Sequence, residues 1–440
     1  MARIRTAQAT GVIHRRGRRC CAAAALGMLL VAGATALADD TRMPGNGPRV
    51  EWVYGYGGWY TEEHPHAAIE AADGGFVVVG ESTGATRSRI FVVRTDARGR
   101  ELFARSYGEG RYNLGNFLLQ EADGGFLVAG SWDAGSDAVQ EDRVLLRLAP
   151  DGEVRATRTY PAPRRDAIEG VTVNADGSIT AVGYRDAAQD ELNSFIVDTG
   201  RAFVMKLTGD LDVVWERHLP GAMFQAFRVQ PRTDAPGWAV FGACIGSGEQ
   251  TRFCLSFTDE EGNAAAPITY GTRNSHPYDF DAANGGGFIL TGHVSMCPDG
   301  CWDGLLVRVD ATGRELWSVS FGEPNGGTPE RMFEECYGVR SVPSGGYVTA
   351  CGSGVEPDNE AHPDDPLNPW RAYVVRVTET GTIQWQASYG SPNTNNAAEF
   401  VLPTRDGGYA VFADSDEHGA GEGANIAIYK LAGDPGDPPR

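Results

Sequence analysis

Short apolar runs separated by glycine-bearing polar turns recur through most of the chain, and residues 287–322 hold the clearest copy. Apolar runs at 288–292 and 304–309 are followed by a turn at 310–313, and polar and apolar residues then alternate over 315–321. These patterns predict three successive strands, with a fourth just upstream at 278–282. Four antiparallel strands repeating about every fifty to sixty residues predict a β-propeller, because one such sheet cannot bury both faces alone and packs on the next copy.

The second strand of each unit opens on a glycine-rich turn followed by an apolar run. The turn reads Asp73-Gly74-Gly75-Phe76, then Asp123-Gly124-Gly125-Phe126, then Asp176-Gly177-Ser178-Ile179. A degraded copy, Ala235-Pro236-Gly237-Trp238, precedes Gly285-Gly286-Gly287-Phe288, Ser344-Gly345-Gly346-Tyr347 and Asp406-Gly407-Gly408-Tyr409. Seven copies predict seven blades. Asp-Gly marks tight reversals because glycine takes the positive φ they need and Asp bonds its own turn. The third strand ends on a basic residue in six copies, at Arg94, Arg147, Lys206, Arg308, Arg376 and Lys430, with Ser256 the exception. Outer strands carry aromatic pairs, Phe103 with Tyr107, Trp317 with Phe321 and Trp385 with Tyr389. Their even spacing sets both rings on one face, for burial between blades.

The last copy supplies three strands, while residues 50–57 supply an orphan whose Trp52, Tyr56 and Gly57 match Trp317, Phe321 and Gly322 in register. The N-terminal strand is therefore expected to complete the last blade, closing the ring and removing two sheet edges. The expected fold is all-β, a seven-bladed β-propeller of four-stranded blades over residues 49–434. A secretory signal peptide (1–38) and a flexible leader (39–48) precede it, and a tail (435–440) follows.

The repeat resembles that of bacterial exported repeat propellers, with Asp-Gly-Gly-(Phe/Tyr)-apolar-Gly, an apolar strand bearing Lys or Arg, an Asp-x-x-Gly turn and Trp-x-x-x-Tyr-Gly. Residues 73–80 with 90–108, and 344–352 with 373–390, carry it best. The outer-strand pattern is also similar to quinoprotein-like propellers, which dock their blades through tryptophan. The resemblance implies fold and export more than an activity, and the cofactor site of the quinone enzymes has no counterpart in the sequence.

Arg15, Arg16, Arg18 and Arg19 precede an apolar, small-residue stretch that ends Ala36-Leu37-Ala38, which predicts a signal peptide cleaved after Ala38. A periplasmic or extracellular, cell-surface location follows, with no membrane span in the mature chain. Six of the 38 basic residues and none of the 58 acids fall in that segment, so the remainder is about 26 charges negative. That balance excludes nucleic acid and favours cations or a basic partner. The six remaining cysteines pair locally in this reading, Cys244 with Cys254, Cys297 with Cys301 and Cys336 with Cys351.

Counting back seven positions from the glycine-rich turns gives a set of polar and aromatic residues at one mouth of the expected channel. They are His66, Asn116, Glu169, Tyr278, Tyr337 and Glu399, with Gln225 the candidate from the fourth unit. A column that varies in type while staying polar or aromatic suits a small asymmetric ligand or a peptide end. The plainer alternative is hydrogen bonding between blades. Glu169 and Glu399 raise the paired carboxylates of glycoside hydrolysis, and His66 with Tyr278 or Tyr337 the base and acid of a lyase. Asp414, Asp416 and Glu417 group hard oxygen ligands in one loop, which suits calcium, the one cofactor suggested. The sequence holds no Walker loop, dinucleotide fingerprint, zinc-protease helix or nucleophile elbow. The expected protein is an exported non-catalytic propeller whose channel mouth and acidic loops bind a protein or glycan partner. An exported hydrolase or lyase at the same mouth, and a structural cell-surface protein without a discrete ligand, are the alternatives.

Overall fold

The computed structural model describes residues 47–434, apart from 134–140, 189–195, 247–249, 297–300, 323–331, 356–369, 392 and 420–422. The expected signal peptide and the tail lie outside the described residues, as does the leader up to residue 46. The described residues form 28 strands, numbered here in chain order, and no helix. No helix among them is long and apolar enough to cross a membrane.

The strands run in antiparallel four-strand meanders. The first is β2 (Glu62–Glu70), β3 (Phe76–Gly84), β4 (Arg87–Thr95) and β5 (Glu101–Tyr107), paired in that order. Further meanders begin at β6 (Asn113–Gln120), β10 (Arg165–Val173) and β14 (Met223–Pro231). The unit read at 278–322 is β18 (Ser275–Ala282), β19 (Phe288–Ser295), β20 (Trp302–Val309) and β21 (Glu315–Phe321). It joins the meander that starts at β22 (Phe333–Ser341) through one parallel bridge, Trp302 to Phe333. Last come β26 (Asn396–Pro403), β27 (Tyr409–Ser415) and β28 (Asn425–Leu431), and β1 (Val50–Tyr56) pairs antiparallel with β28 as the fourth strand. Each meander's first strand lies against the first strand of the next, and β26 lies against β2.

Burial explains the sequence pattern. Second and third strands are sandwiched between neighbouring sheets, so Val77, Val78, Val79, Ile90, Val92 and Val93 are all fully buried and the runs are continuously apolar. Outer strands have one wet face, and β21 accordingly alternates.

The two recurrent side-chain signals are clasps. The basic residue of the third strand reaches back to the glycine-rich turn. Arg94 bonds Asp73 at 2.6 Å, Lys206 pairs with Asp176 at 3.5 Å, and Lys430 pairs with Asp406 at 2.9 Å. Where the turn lacks Asp, Arg308 donates to the Gly286 carbonyl at 2.6 Å and to the Tyr347 hydroxyl at 2.9 Å. The outer-strand tyrosine reaches forward to the glycine of the turn between the next meander's third and fourth strands. Tyr107 donates to the Gly152 carbonyl at 2.7 Å, and Tyr270 to that of Gly313 at 2.7 Å. Tyr56 of β1 does the same to Gly99, between β4 and β5. Gly99 has φ of 76°, and a Cβ there would sit 2.7 Å from the Trp52 ring, so the turn needs glycine on both counts. The aromatics thus pack between sheets, as their spacing predicts.

Two expected disulfides are present. Cys244–Cys254 ties β15 (Trp238–Ile245) to β16 (Thr251–Thr258), and Cys336–Cys351 ties β22 to β23 (Tyr347–Gly354). The third expected pair involves Cys297, which lies outside the described residues.

Candidate functional site

Every first strand carries a β-bulge against its second strand. The extra residues are His66, Asn116, Glu169, Phe227, Tyr278, Tyr337 and Glu399. A bulge leaves one residue out of the ladder and re-aims its side chain, which is why this one column escapes the apolar alternation on either side. Six of the seven are the positions reached by counting back from the turns. In the fourth meander the bulge residue is Phe227, and Gln225 lies two residues before it. The turn there closes from Arg232 to Gly237, one residue longer than the Ala71 to Gly75 turn of the first meander, so a count of seven back from Ala235 reaches Arg228, one residue past the bulge.

Four of the bulge residues fall in two arcs. Phe227, Tyr278 and Tyr337 form a contiguous aromatic arc, with ring centroids 5.7 and 4.6 Å apart. His293 packs on Tyr278 at 5.3 Å, and His276 and Trp302 extend the cluster, their rings 4.5 Å apart. His293 Nε2 lies 3.2 Å from His276 Nδ1, and burial lowers both imidazoles, that of His276 to about 4. They are neutral aromatic surfaces at ordinary pH.

The second arc is acidic. Glu399 is half-buried, and burial, then Asp414, raise its carboxyl well above the ordinary range, against the pull of His64. Glu335 adds to that push and accepts from the Tyr337 hydroxyl at 2.6 Å. Burial, then Glu335, keep the Tyr278 and Tyr337 hydroxyls protonated as donors. His64 Nδ1 lies 2.7 Å from Asp414 Oδ2. Burial alone would lower the His64 pKa, but the charge and hydrogen bond of Asp414, with Glu81 and Glu399, push it up to about 10.

Three candidates serve the scaffold. His66 Nδ1 lies 3.0 Å from the Gly115 carbonyl, and Asn116 Nδ2 donates to the Ile168 carbonyl at 3.1 Å. Each reaches the residue just before the next strand's bulge, so these two are struts between sheets. Gln225 receives a bond from the Val197 N–H at 2.8 Å and donates to Glu169 at 3.3 Å. Burial pushes the Glu169 carboxyl up to about 7, against Arg228 and Gln225. The charges acting on Glu169 are Arg228 and Glu141, whereas those on Glu399 are Asp414, His64 and Glu335. The two carboxyls therefore occupy separate surroundings.

The calcium candidates diverge. Asp414 faces His64, Asp416 accepts from Asn395 at 2.9 Å, and Glu417 accepts from the Ser391 N–H at 2.8 Å and Thr394 at 3.1 Å. Among the described residues no cluster of three His, Cys, Asp or Glu is arranged to hold a metal ion.

Sequence reasoning missed His64, His276 and Glu335. Each lies two residues before a bulge, the position of Gln225, and so faces the same way along its strand. A second count, two residues further back, finds them.

No protein-family model matches the sequence, and no curated protein matches it. The Asp-Gly-Gly resemblance therefore rests on the repeat itself. Similar solved structures include the WD40 domain of Neurospora crassa Pan2, at 10% identity and TM-score 0.49, covering 92% of this chain and 99% of that one. Kuenenia stuttgartiensis hydrazine synthase matches at 13% identity and TM-score 0.49, covering 81% and 94%. The periplasmic gluconolactonase PpgL of Pseudomonas aeruginosa matches at 12% identity and TM-score 0.48, covering 82% and 97%. Likeness at this level assigns no activity. On its own strand topology, the chain is an all-β, propeller-like repeat protein.

Proposed function

We propose that the chain is an exported, non-catalytic binding module, a seven-bladed propeller closed by β1, whose channel mouth takes the end of a glycan. The observation that carries this reading is the bulge ring, with its aromatic arc of Phe227, Tyr278 and Tyr337 beside the carboxyls of Glu399 and Glu335. Flat rings stack on the apolar faces of sugars, while carboxyls and phenol hydroxyls bond sugar hydroxyls, and both are held here by a rigid scaffold. Contacts of each first strand with the next, and of β26 with β2, support the closed ring. The two disulfides support export.

A protein partner is the second reading, and Trp59 and Tyr60 favour it. They are 66% and 95% exposed in the connection from β1 to β2, where β2 begins. Exposed aromatics of this kind are typical anchors in protein interfaces. Affinity capture from the producing organism's envelope, with the wild type and two variants, separates the two. Loss of the captured species with Tyr337→Ala/Glu399→Gln supports the mouth, and loss with Trp59→Ala/Tyr60→Ala supports the surface pair. A captured species retained by both folded variants would overturn both readings.

A further inference from the structure

On the turn side of the bulges, β6, β10, β14, β18 and β22 line a cavity of about 390 Å³, within the size range of small-ligand sites. Its walls are mostly apolar, Leu119, Val173, Val229 and Phe280 among them. Among the described residues, its charged lining is Arg228, Asp279 and Arg340. Arg228 Nε donates to Asp279 Oδ1 at 3.1 Å, and Arg340 Nη1 donates to Asp279 Oδ2, which also accepts from the Val339 N–H at 3.2 Å. Arg228 Nη1 donates to the carbonyls of Glu169 at 2.7 Å and Phe227 at 3.0 Å, and Arg340 Nη1 to that of Val339.

Both guanidiniums lie over aromatic rings. Arg228 lies 4.9 Å from the Phe117 centroid and Arg340 lies 4.3 Å from that of Phe400. Among the described residues, nothing accepts from Arg228 Nη2 or from Arg340 Nε and Nη2. The Arg228 side chain is 9% exposed, and its Nη2 is not among the buried unpartnered atoms, so the spare donor faces accessible space rather than the packed interior.

Two cations share one carboxylate here, which leaves one positive charge among the lining residues, in a chain whose net charge is −20. Glu169 acts on Arg228 through space but does not line the cavity. A buried charge of this kind calls for a counter-ion, and a planar fork matches a carboxylate. We infer that this cavity binds a small monocarboxylate with an apolar body, its carboxylate on the spare donors of Arg228 and Arg340 and its body against Leu119, Val229 and Phe280. A monoanion completes the charge balance, whereas a dianion such as phosphate would leave an excess of negative charge among apolar walls. The site is separate from the aromatic and acidic arcs, and it does not depend on the glycan reading.

Calorimetric titration of the full mature protein tests this with phenylacetate, its uncharged amide phenylacetamide, and inorganic phosphate. Phenylacetate is expected to bind saturably, with the amide at least about tenfold weaker, the worth of one charge-assisted pair. Arg340→Gln should weaken phenylacetate by about tenfold, and Leu119→Trp, which fills the cavity, should abolish binding, both with the wild-type melting temperature. If Arg340→Gln does not fold, Leu119→Trp decides alone. No phenylacetate binding by the wild type, equal binding of the amide, or wild-type binding by the folded variants would overturn the site. Tighter binding of phosphate than of phenylacetate would overturn the monocarboxylate.

Discussion

At the scale of single residues, the bulge is what turns a structural repeat into a set of individual positions. Neighbouring residues on the first strands are constrained to pack, whereas the bulge residue is His, Asn, Glu, Phe or Tyr. One of its carboxyls reports its surroundings. Glu169 has an ordinary value of 4.5 and titrates at about 7 in the fold. Between those values the folded state holds the proton that the unfolded state has lost, so its contribution to stability falls as pH rises from about 4.5 to about 7 and is level above. Glu169→Gln removes this penalty, and should stabilise the protein at pH 8 by on the order of 2 kcal/mol while changing little at pH 4. Urea denaturation at the two pH values measures it, and equal effects at both would contradict the assignment. His64 moves the same way for the opposite reason. Its proton is held up to about 10 by Asp414, so that stabilisation is complete below the ordinary 6.5 and is lost as pH rises towards 10. Asp414→Asn should return the imidazole to the range below neutrality in an NMR titration. A proton still held near 10 would show that Asp414 is not its cause.

At the scale of elements, the strands were legible because the middle strands of each meander are continuously apolar and the turns between them are spelled by Asp and Gly. The function of the third-strand base was not legible, since its partner Asp lies some twenty residues away and only pairing brings Arg94 to Asp73. The fourth meander departs from the pattern, and its outer strand, β17, is only Ile268–Tyr270. Pro267 just before it has no N–H to give to a ladder, which accounts for the late start. The degraded turn of that meander gives no clean count, and the candidate Gln225 lies two residues short of the bulge at Phe227. The orphan strand, in contrast, was readable from Trp52, Tyr56 and Gly57. In the structure it pairs along β28 from Leu431 to Ile426. Deleting residues up to Gly57 should bare the β28 edge and strip Gly99 of Tyr56 and Trp52, giving aggregation in size-exclusion chromatography. A truncated protein that stays monomeric with the original melting temperature would show that β1 is dispensable.

For the whole molecule, the four-strand repeat accounts for the scaffold, and the variation within it accounts for the proposed sites. The turn between first and second strands changes little from copy to copy. The connection between second and third strands ranges from residues 85–86 in the first meander to 355–370 in the sixth. On the proposed ring, that places conserved-length turns on one face and variable connections, with Trp59 and Tyr60, on the other. Along the first strands the aromatic and acidic arcs come before the arginine-bearing cavity, which lies nearer the turns. Charge balance and spacing could announce the first, but not the second, because Arg228, Asp279 and Arg340 come from three meanders and meet only when the first strands pack against one another. The most direct test of the central claim is a glycan array read with the wild type beside Tyr337→Ala/Glu399→Gln. The account predicts that the wild type retains a defined set of glycans and that the variant, melting at the same temperature, loses them by at least about tenfold. A wild type that binds nothing on the array, or a folded variant that binds the same glycans equally well, would contradict it.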